Sequence, residues 1–283
     1  MLASAATVVA PGAYDGLTAR MIERGGFAAV YVTGAGIAYS SLGQPDVGLV
    51  SFGEMVERVK QVAQAVTIPV IADADTGYGG PLNVVRTVQA YERAGASAVQ
   101  LEDQVWPKRC GHMASKTVVP VEEMAAKIEA ACWARTDPET LIIARTDARA
   151  TEGLDGALAR ARRYAAAGAD LLFVEAPQSA DELARVPREL AAPCMANMVE
   201  GGRTPLLAAA ELGQLGYRLV IFPNLLTRVM VRAALDALVV LRREGSSASL
   251  LDRLMSFADL NAFLGLEELN DLADRFTPKR DPQ

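Results

Sequence analysis

The sequence places its only histidine, His112, two residues after a cysteine and behind two cations, in Lys108-Arg109-Cys110-Gly111-His112-Met113. Cations beside a thiol lower the cost of its thiolate. A group that titrates near neutral pH can then act as a general acid or base. Gly111 permits the unusual backbone angles of a tight turn. Zinc is a poor reading, because no second Cys or His lies at ligand spacing. The plainer alternative is a free cysteine buried in a basic loop.

A second set of residues points to a cation. Asp73 and Asp75 lie two apart, so on an extended strand they point the same way, and Glu102 follows one strand later. Three converging carboxylates would repel and raise a pKa; a divalent cation relieves this. Oxygen-only ligands favour a hard ion such as Mg²⁺ or Mn²⁺. Helix caps and salt bridges in ordinary loops are the competing explanation. Thr33-Gly34-Ala35-Gly36 leaves backbone N–H groups approachable by a carboxylate or phosphate. The spacing is not that of a dinucleotide fingerprint. Arg145 is placed to hold a substrate carboxylate in a fork, or to pair internally with Glu175 or Asp147. Cys132 and Cys194 read as core fillers.

The elements that must position these residues are eight short, β-branched apolar runs, starting near Thr7, Ala28, Ile68, Ser97, Thr140, Ala169, Pro193 and Tyr217. Ala-rich amphipathic stretches separate them, and several stop at a glycine (Gly26, Gly95, Gly168, Gly216), as a helix C-cap predicts. Near-continuous apolar strands suit a parallel sheet buried on both faces. Eight strand–helix units predict a (β/α)8 TIM-type barrel with additional C-terminal helices, with a doubly wound open sheet as the alternative. In such a barrel chemistry sits at the strand C-termini. There the sequence places Thr33, Asp73, Glu102, Arg145, Glu175 and Asn197. One domain is expected over residues 1–283, with helices at about 245–276 beyond the eighth unit.

The 283 residues carry a formal charge of −6 and 51% hydrophobic residues. A nucleic-acid surface is not expected, since no basic stripe is present. Three scattered cysteines argue for a reducing, cytoplasmic setting. No signal-peptide pattern and no apolar run of membrane-spanning length are read.

The segments PGAYDGLTA, SLGQPD, ADADTGYG, LEDQ, KRCGH, ARTDA, VEAP and MANMVEGGRTP together resemble the isocitrate lyase/phosphoenolpyruvate mutase superfamily, in its short-chain lyase branch, from about Ala10 to Arg243. The resemblance implies a (β/α)8 barrel, usually tetrameric, with C-terminal helices exchanged between subunits. It implies a Mg²⁺ shell at Asp73, Asp75 and Glu102, direct or through water. Tyr31, Thr33, Gly34 and Ala35 would hold the 2-oxo acid end. Asp46 would lie near the metal, and Glu175, Asn197 and Arg145 would contact substrate. Cys110, with Gly111, His112 and Lys108 beside it, would protonate an enolate after C–C cleavage.

The expected activity is cleavage of a 2-hydroxy di- or tricarboxylate, of 2-methylisocitrate or 2,3-dimethylmalate type, to pyruvate or a related 2-oxo acid. The alternatives are an oxaloacetate hydrolase or decarboxylase, and a barrel that binds 2-oxo acids without turnover. Arg228 matches an arginine that the methylisocitrate lyases use for a carboxylate. A second arginine of that group is replaced by Ala258. Leu225 stands where the hydrolases carry a small hydroxyl residue. Phe173 and Leu225 are expected to form an apolar pocket wall.

Overall fold

The computed structural model describes residues 6–109, 111 and 116–277. Eight strands form: β1 (Val8–Ala13), β2 (Val30–Val32), β3 (Val70–Asp73), β4 (Ala98–Glu102), β5 (Leu141–Thr146), β6 (Leu171–Val174), β7 (Cys194–Asn197) and β8 (Tyr217–Phe222). Seven fall within the apolar runs read from the sequence, and β1 runs on past the first of them to Ala13. They pair in parallel, in chain order, and close on themselves. Val8 aligns with Leu219 and Pro11 with Phe222 across the seam. That closure excludes the open sheet. Between the strands run α1 (Gly16–Arg24), a short α2 (Gly34–Ile37), α3 (Phe52–Ala65), α4 (Pro81–Ala94), α5 (Val121–Ala134), α6 (Arg149–Ala166), α7 (Ala180–Glu189) and α8 (Ala209–Leu215).

Local sequence explains where the helices begin and end. Asp15 and Thr18 form a capping box at the start of α1, as Ser51 and Glu54 do at α3, each satisfying N–H groups that a helix start leaves open. Gly95 and Gly216 end α4 and α8 with left-handed φ of 101° and 109°. The helix α6 begins at Arg149, one turn ahead of Gly153. Gly153 itself has φ 75°, ψ 178°, so α6 bends there.

The barrel interior is filled by apolar side chains, among them Tyr31, Ile71, Ile143, Leu171, Phe173, Met195, Leu219 and Ile221. Where β1 meets the end of β8 the backbones nearly touch. A Cβ on Gly12 would lie 2.1 Å from the carbonyl oxygen of Pro223.

The chain divides into two compact units, residues 1–228 and 229–283. The first holds the barrel. The second holds most of α9 (Leu225–Glu244), a 3-10 turn (Ala248–Arg253), α10 (Phe257–Leu264) and α11 (Leu266–Phe276). Neither α10 nor α11 has a buried residue. Phe257 is 85% and Phe276 72% exposed. Among the described residues no helix is long and apolar enough to cross a membrane.

Gly12→Ala is expected to destabilise the protein by about 1–3 kcal/mol, the cost of overpacking a core site. Gly53→Ala, at an exposed helical position with nothing within 4 Å of the added Cβ, should stabilise it by roughly 0.5 kcal/mol. Urea unfolding of both variants checks this. A Gly12→Ala midpoint equal to the parent's would refute the close approach at the seam.

Candidate active site

The strand ends bring the expected residues to one cleft. Tyr31, Thr33, Ala35, Asp46, Asp73, Lys108, Gly111, Arg145, Glu175 and Asn197 all line it, and it encloses about 430 Å³ counting its open mouth. Gly34 stands against this group: a Cβ there would lie 3.0 Å from Asp73 Oδ2. A larger groove of about 1410 Å³ on the barrel flank is lined largely by apolar groups such as Leu49, Phe52 and Trp106, and holds none of the strand-end acids.

On one side lies an acidic cluster around a single ammonium. Lys108 Nζ donates to Asp46 Oδ1 at 2.6 Å and lies 2.8 Å from Asp75 Oδ1. Burial alone would push Lys108 down, but Asp75, Asp46, Asp73 and Glu102 outweigh it and hold the ammonium well above the ordinary lysine range. Burial, aided by Asp73 and Asp46 and opposed by Lys108, pushes Asp75 up to about 6. The backbone bends sharply here, with φ 48° at Asp75 and 58° at Tyr78. Asp73 Oδ1 accepts from the Asp75 N–H at 3.1 Å and from Gln100 Nε2 at 3.3 Å. Gln100 Oε1 in turn accepts from Tyr31 at 3.1 Å. Tyr91 donates to the Asp73 carbonyl and meets the Tyr78 hydroxyl.

The second centre is Arg145. Asp147 occupies its fork, at 2.9 Å to Nε and 3.0 Å to Nη2. Glu102 Oε2 lies 3.0 Å from Nη1 and Glu175 Oε2 4.0 Å from Nε. Arg145 is buried, yet these carboxylates keep its guanidinium charged. Burial holds the Glu102 carboxyl well above the usual range despite Arg145. The fork expected for substrate is therefore taken internally, while Arg145 still lines the cleft. Glu175 also accepts from Asn197 Nδ2 at 3.2 Å.

Three residues to which the sequence assigned no site role complete this side. Lys116 Nζ donates to Asp147 Oδ1 at 2.6 Å and to the Gly111 carbonyl. Gly111 is seated so tightly that a Cβ would lie 2.5 Å from both Arg145 Nη2 and Glu175 Oε1. Gln104 braces the same loop from both its amide ends, to the N–H and carbonyl of Arg109. Beneath them Asp103, the partner of Glu102 in the LEDQ motif, accepts from Thr146, the Asp147 N–H and Tyr164.

Not every expected residue joins. Arg228 does not line the cleft. Its side chain is 56% exposed and turned to Glu200, donating to the Glu200 carbonyl with Oε2 3.6 Å away. Leu225 is exposed on α9. The apolar wall is instead made of Phe173, Val199, Ile221 and Pro223. Cys110 and His112 lie outside the described residues. Cys132 and Cys194 are free thiols, and burial pushes Cys194 up to about 12, in keeping with inert fillers.

Residues 1–241 match the family described as phosphoenolpyruvate phosphomutase. A 2,3-dimethylmalate lyase of Eubacterium barkeri is 46% identical over 280 residues, covering 99% of this chain and 97% of that protein. A 2-methylisocitrate lyase of Aeropyrum pernix is 42% identical over 261 residues, covering 92% and 84%. Among solved structures, oxaloacetate acetylhydrolase in complex with the inhibitor 3,3-difluorooxalacetate superposes with a TM-score of 0.92 at 35% identity, covering 96% of this chain and 93% of that one. Phosphonopyruvate hydrolase in complex with oxalate and Mg²⁺ does so with a TM-score of 0.88 at 30% identity, covering 97% and 96%. On the family match and on identity above 40% over more than nine-tenths of its length, the chain belongs to the phosphoenolpyruvate phosphomutase family.

Proposed function

We propose that this protein is a Mg²⁺-dependent carbon–carbon lyase that cleaves a 2-hydroxy di- or tricarboxylate, of 2,3-dimethylmalate or 2-methylisocitrate type, to pyruvate or a related 2-oxo acid and a second carboxylate. The observation that carries this reading is the convergence of Asp73, Arg145 and Gly111 on one cleft. The lyases among its relatives support it.

The residues present fit a divalent cation. Asp75 Oδ1 and both Glu102 oxygens are buried without an aligned hydrogen-bond donor, their ion-pair distances notwithstanding. One ammonium faces Asp46, Asp73 and Asp75 together. Among the described residues no three acidic, His or Cys side chains converge closely enough to ligate one ion unaided. That suits Mg²⁺, which keeps several waters and takes one or two protein carboxylates plus substrate oxygens. Asp73 and Asp75, with Glu102 behind them, would hold it, and Mn²⁺ would substitute. When bound, the ion supplies positive charge that favours loss of the substrate hydroxyl proton.

Tyr31, Thr33, Gly34 and Ala35 would then seat the 2-hydroxy acid end. The hydroxyl proton passes to a basic group of the cleft, for which Asp46, held by Lys108, stands on the wall. The C2–C3 bond breaks as the carbonyl forms, and its electron pair moves into the second fragment as an enediolate. Arg145 offers its remaining N–H groups to that charge. Cys110 adds the proton to carbon, with His112 beside it in sequence.

A second reading, an oxaloacetate hydrolase or decarboxylase on the same site, draws on the likeness to oxaloacetate acetylhydrolase. The exposed apolar faces of α10 and α11 would be covered by a second copy of the chain, in a homotetramer. The setting would be cytoplasmic.

The deciding assay is product release from 2-methylisocitrate, isocitrate, 2,3-dimethylmalate and oxaloacetate, with and without EDTA. EDTA-sensitive pyruvate, or glyoxylate from isocitrate, is expected from a 2-hydroxy acid. Product from oxaloacetate alone, as pyruvate or oxalate, would replace the lyase by the second reading, and no product from any acid would favour a binding role. Cys110→Ala is expected to lower kcat by about 10²–10⁴-fold, the contribution of a positioned acid, while oxalate still binds with Mg²⁺; turnover at the parent rate would remove Cys110 from the mechanism. In sedimentation analysis the parent should run as a tetramer, and Phe257→Asp with Phe276→Asp should shift it toward smaller species. A parent that sediments as a monomer would rule out the covered face.

A further inference from the structure

The charged side of the cleft is nearly saturated: Lys108 is engaged by Asp46 and Asp75, Arg145 by Glu102 and Asp147, and Glu175 by Asn197. The wall at the ends of β6, β7 and β8 is different. Besides Glu175, which Asn197 engages, its only polar side chains lining the cleft among the described residues are two amides, Asn197 and Asn224; the rest is apolar. Asn224 follows β8 directly and is 7% exposed. Its carbonyl accepts from the Arg228 N–H, but its Oδ1 is buried with no hydrogen-bond partner among the described residues. Asn197 Oδ1 is likewise unpartnered.

A buried amide without a partner is costly, and native structures keep few of them. One that lines a substrate cleft is satisfied when a ligand arrives. Because the O and N of an amide are interchangeable by a half-turn, Asn224 can present either an acceptor or a donor at that point. Arg228, three positions beyond the start of α9 and the cation expected to read a further carboxylate, is turned to Glu200. This wall therefore offers an amide and an alkyl surface, and Arg228 adds no cation to it.

The geometry points to Asn224 as the specificity-determining residue of this cleft: its amide hydrogen-bonds the carboxylate of the second fragment, and the surrounding Phe173, Val199 and Ile221 accept an alkyl branch, so that branched 2-hydroxy dicarboxylates are preferred to tricarboxylates. This deepens the lyase reading and rests on it for the fragments' names. A neutral amide suffices for one carboxylate oxygen. A third carboxylate on the same wall would be buried without a counter-charge, which is strongly disfavoured.

The test uses Asn224→Leu, which keeps the side chain's size, and Asn224→Asp, which places a like charge at the same point. Calorimetric binding with Mg²⁺ present is measured for two probes, oxalate, which has no second fragment, and 2-methylmalate, which has one. Asn224→Leu should weaken 2-methylmalate tenfold or more and leave oxalate within twofold; Asn224→Asp should weaken 2-methylmalate further. The Leu variant should unfold at the parent's temperature or above, since it loses a buried unpaired polar group; a merely structural role predicts the reverse. On the turnover panel, kcat/KM for the dicarboxylate should exceed that for the tricarboxylate in the parent, and the Leu variant should narrow the ratio. Equal weakening of both probes, or of neither, would overturn the assignment. If the parent turns over no acid yet the binding split holds, the lyase reading fails and the role of Asn224 stands.

Discussion

Burying charge is possible here only because each charge is compensated at the point where it leaves water. Lys108 and Arg145 are both nearly sequestered, and each faces several carboxylates. An isolated ammonium or guanidinium in that setting would be prohibitively costly. Removing one member would leave others unmatched, so the two cations and their acids behave as a unit. The backbone is arranged to keep them in register. The turn after β3, with left-handed Asp75 and Tyr78, brings Asp75 to within 2.8 Å of Lys108 Nζ, and the Asp103 carboxylate accepts from the Asp147 N–H.

The distribution of charge across the cleft is unequal, and the inequality is chemically useful. One side carries more carboxylate than ammonium, so it accepts a further cation. The middle carries Arg145, charged but partly spent. The far wall is largely apolar, its one carboxylate, Glu175, engaged by Asn197. A substrate with a chelating end and an alkyl-bearing end meets matching surfaces without either end having to displace a strong internal pair. A site with every pair saturated would bind tightly to nothing; one with every group unpaired would not stay folded.

Much of this was legible in the sequence, for physical reasons. Parallel barrel strands are buried on both faces, so they read as unbroken apolar runs, and all eight were visible. Polar residues that interrupt such runs at their ends stand out for the same reason: Asp73, Arg145, Glu175 and Asn197 all line the cleft, and Glu102 lies buried against Arg145. What stayed hidden were residues whose importance depends on where loops fold. Lys116 is one more lysine in a loop until its ammonium is seen bridging Asp147 and the Gly111 carbonyl. Gln100 sits inside a strand, where an amide has no periodic signature. Arg228 shows the opposite: a position that matches a substrate-binding arginine in sequence holds a side chain turned to Glu200 and outside the lining of the cleft, which residue type alone does not reveal.

The seam between β1 and β8 also has a temporal meaning. Val8 pairs with Leu219, and Gly12 lies against Pro223, so the last contact needed to close the cylinder joins segments from opposite ends of the barrel sequence. Bringing them together has a large loop-closure entropy cost and gains nothing until both are present. During synthesis the first seven strands emerge before their closing partner does. Asn224 comes one residue after that seam. The wall facing the second fragment therefore takes shape only at the final act of assembly, and a nascent chain halted before it would hold the acids of β3 and β4 on an unclosed sheet with no enclosure to define what they bind.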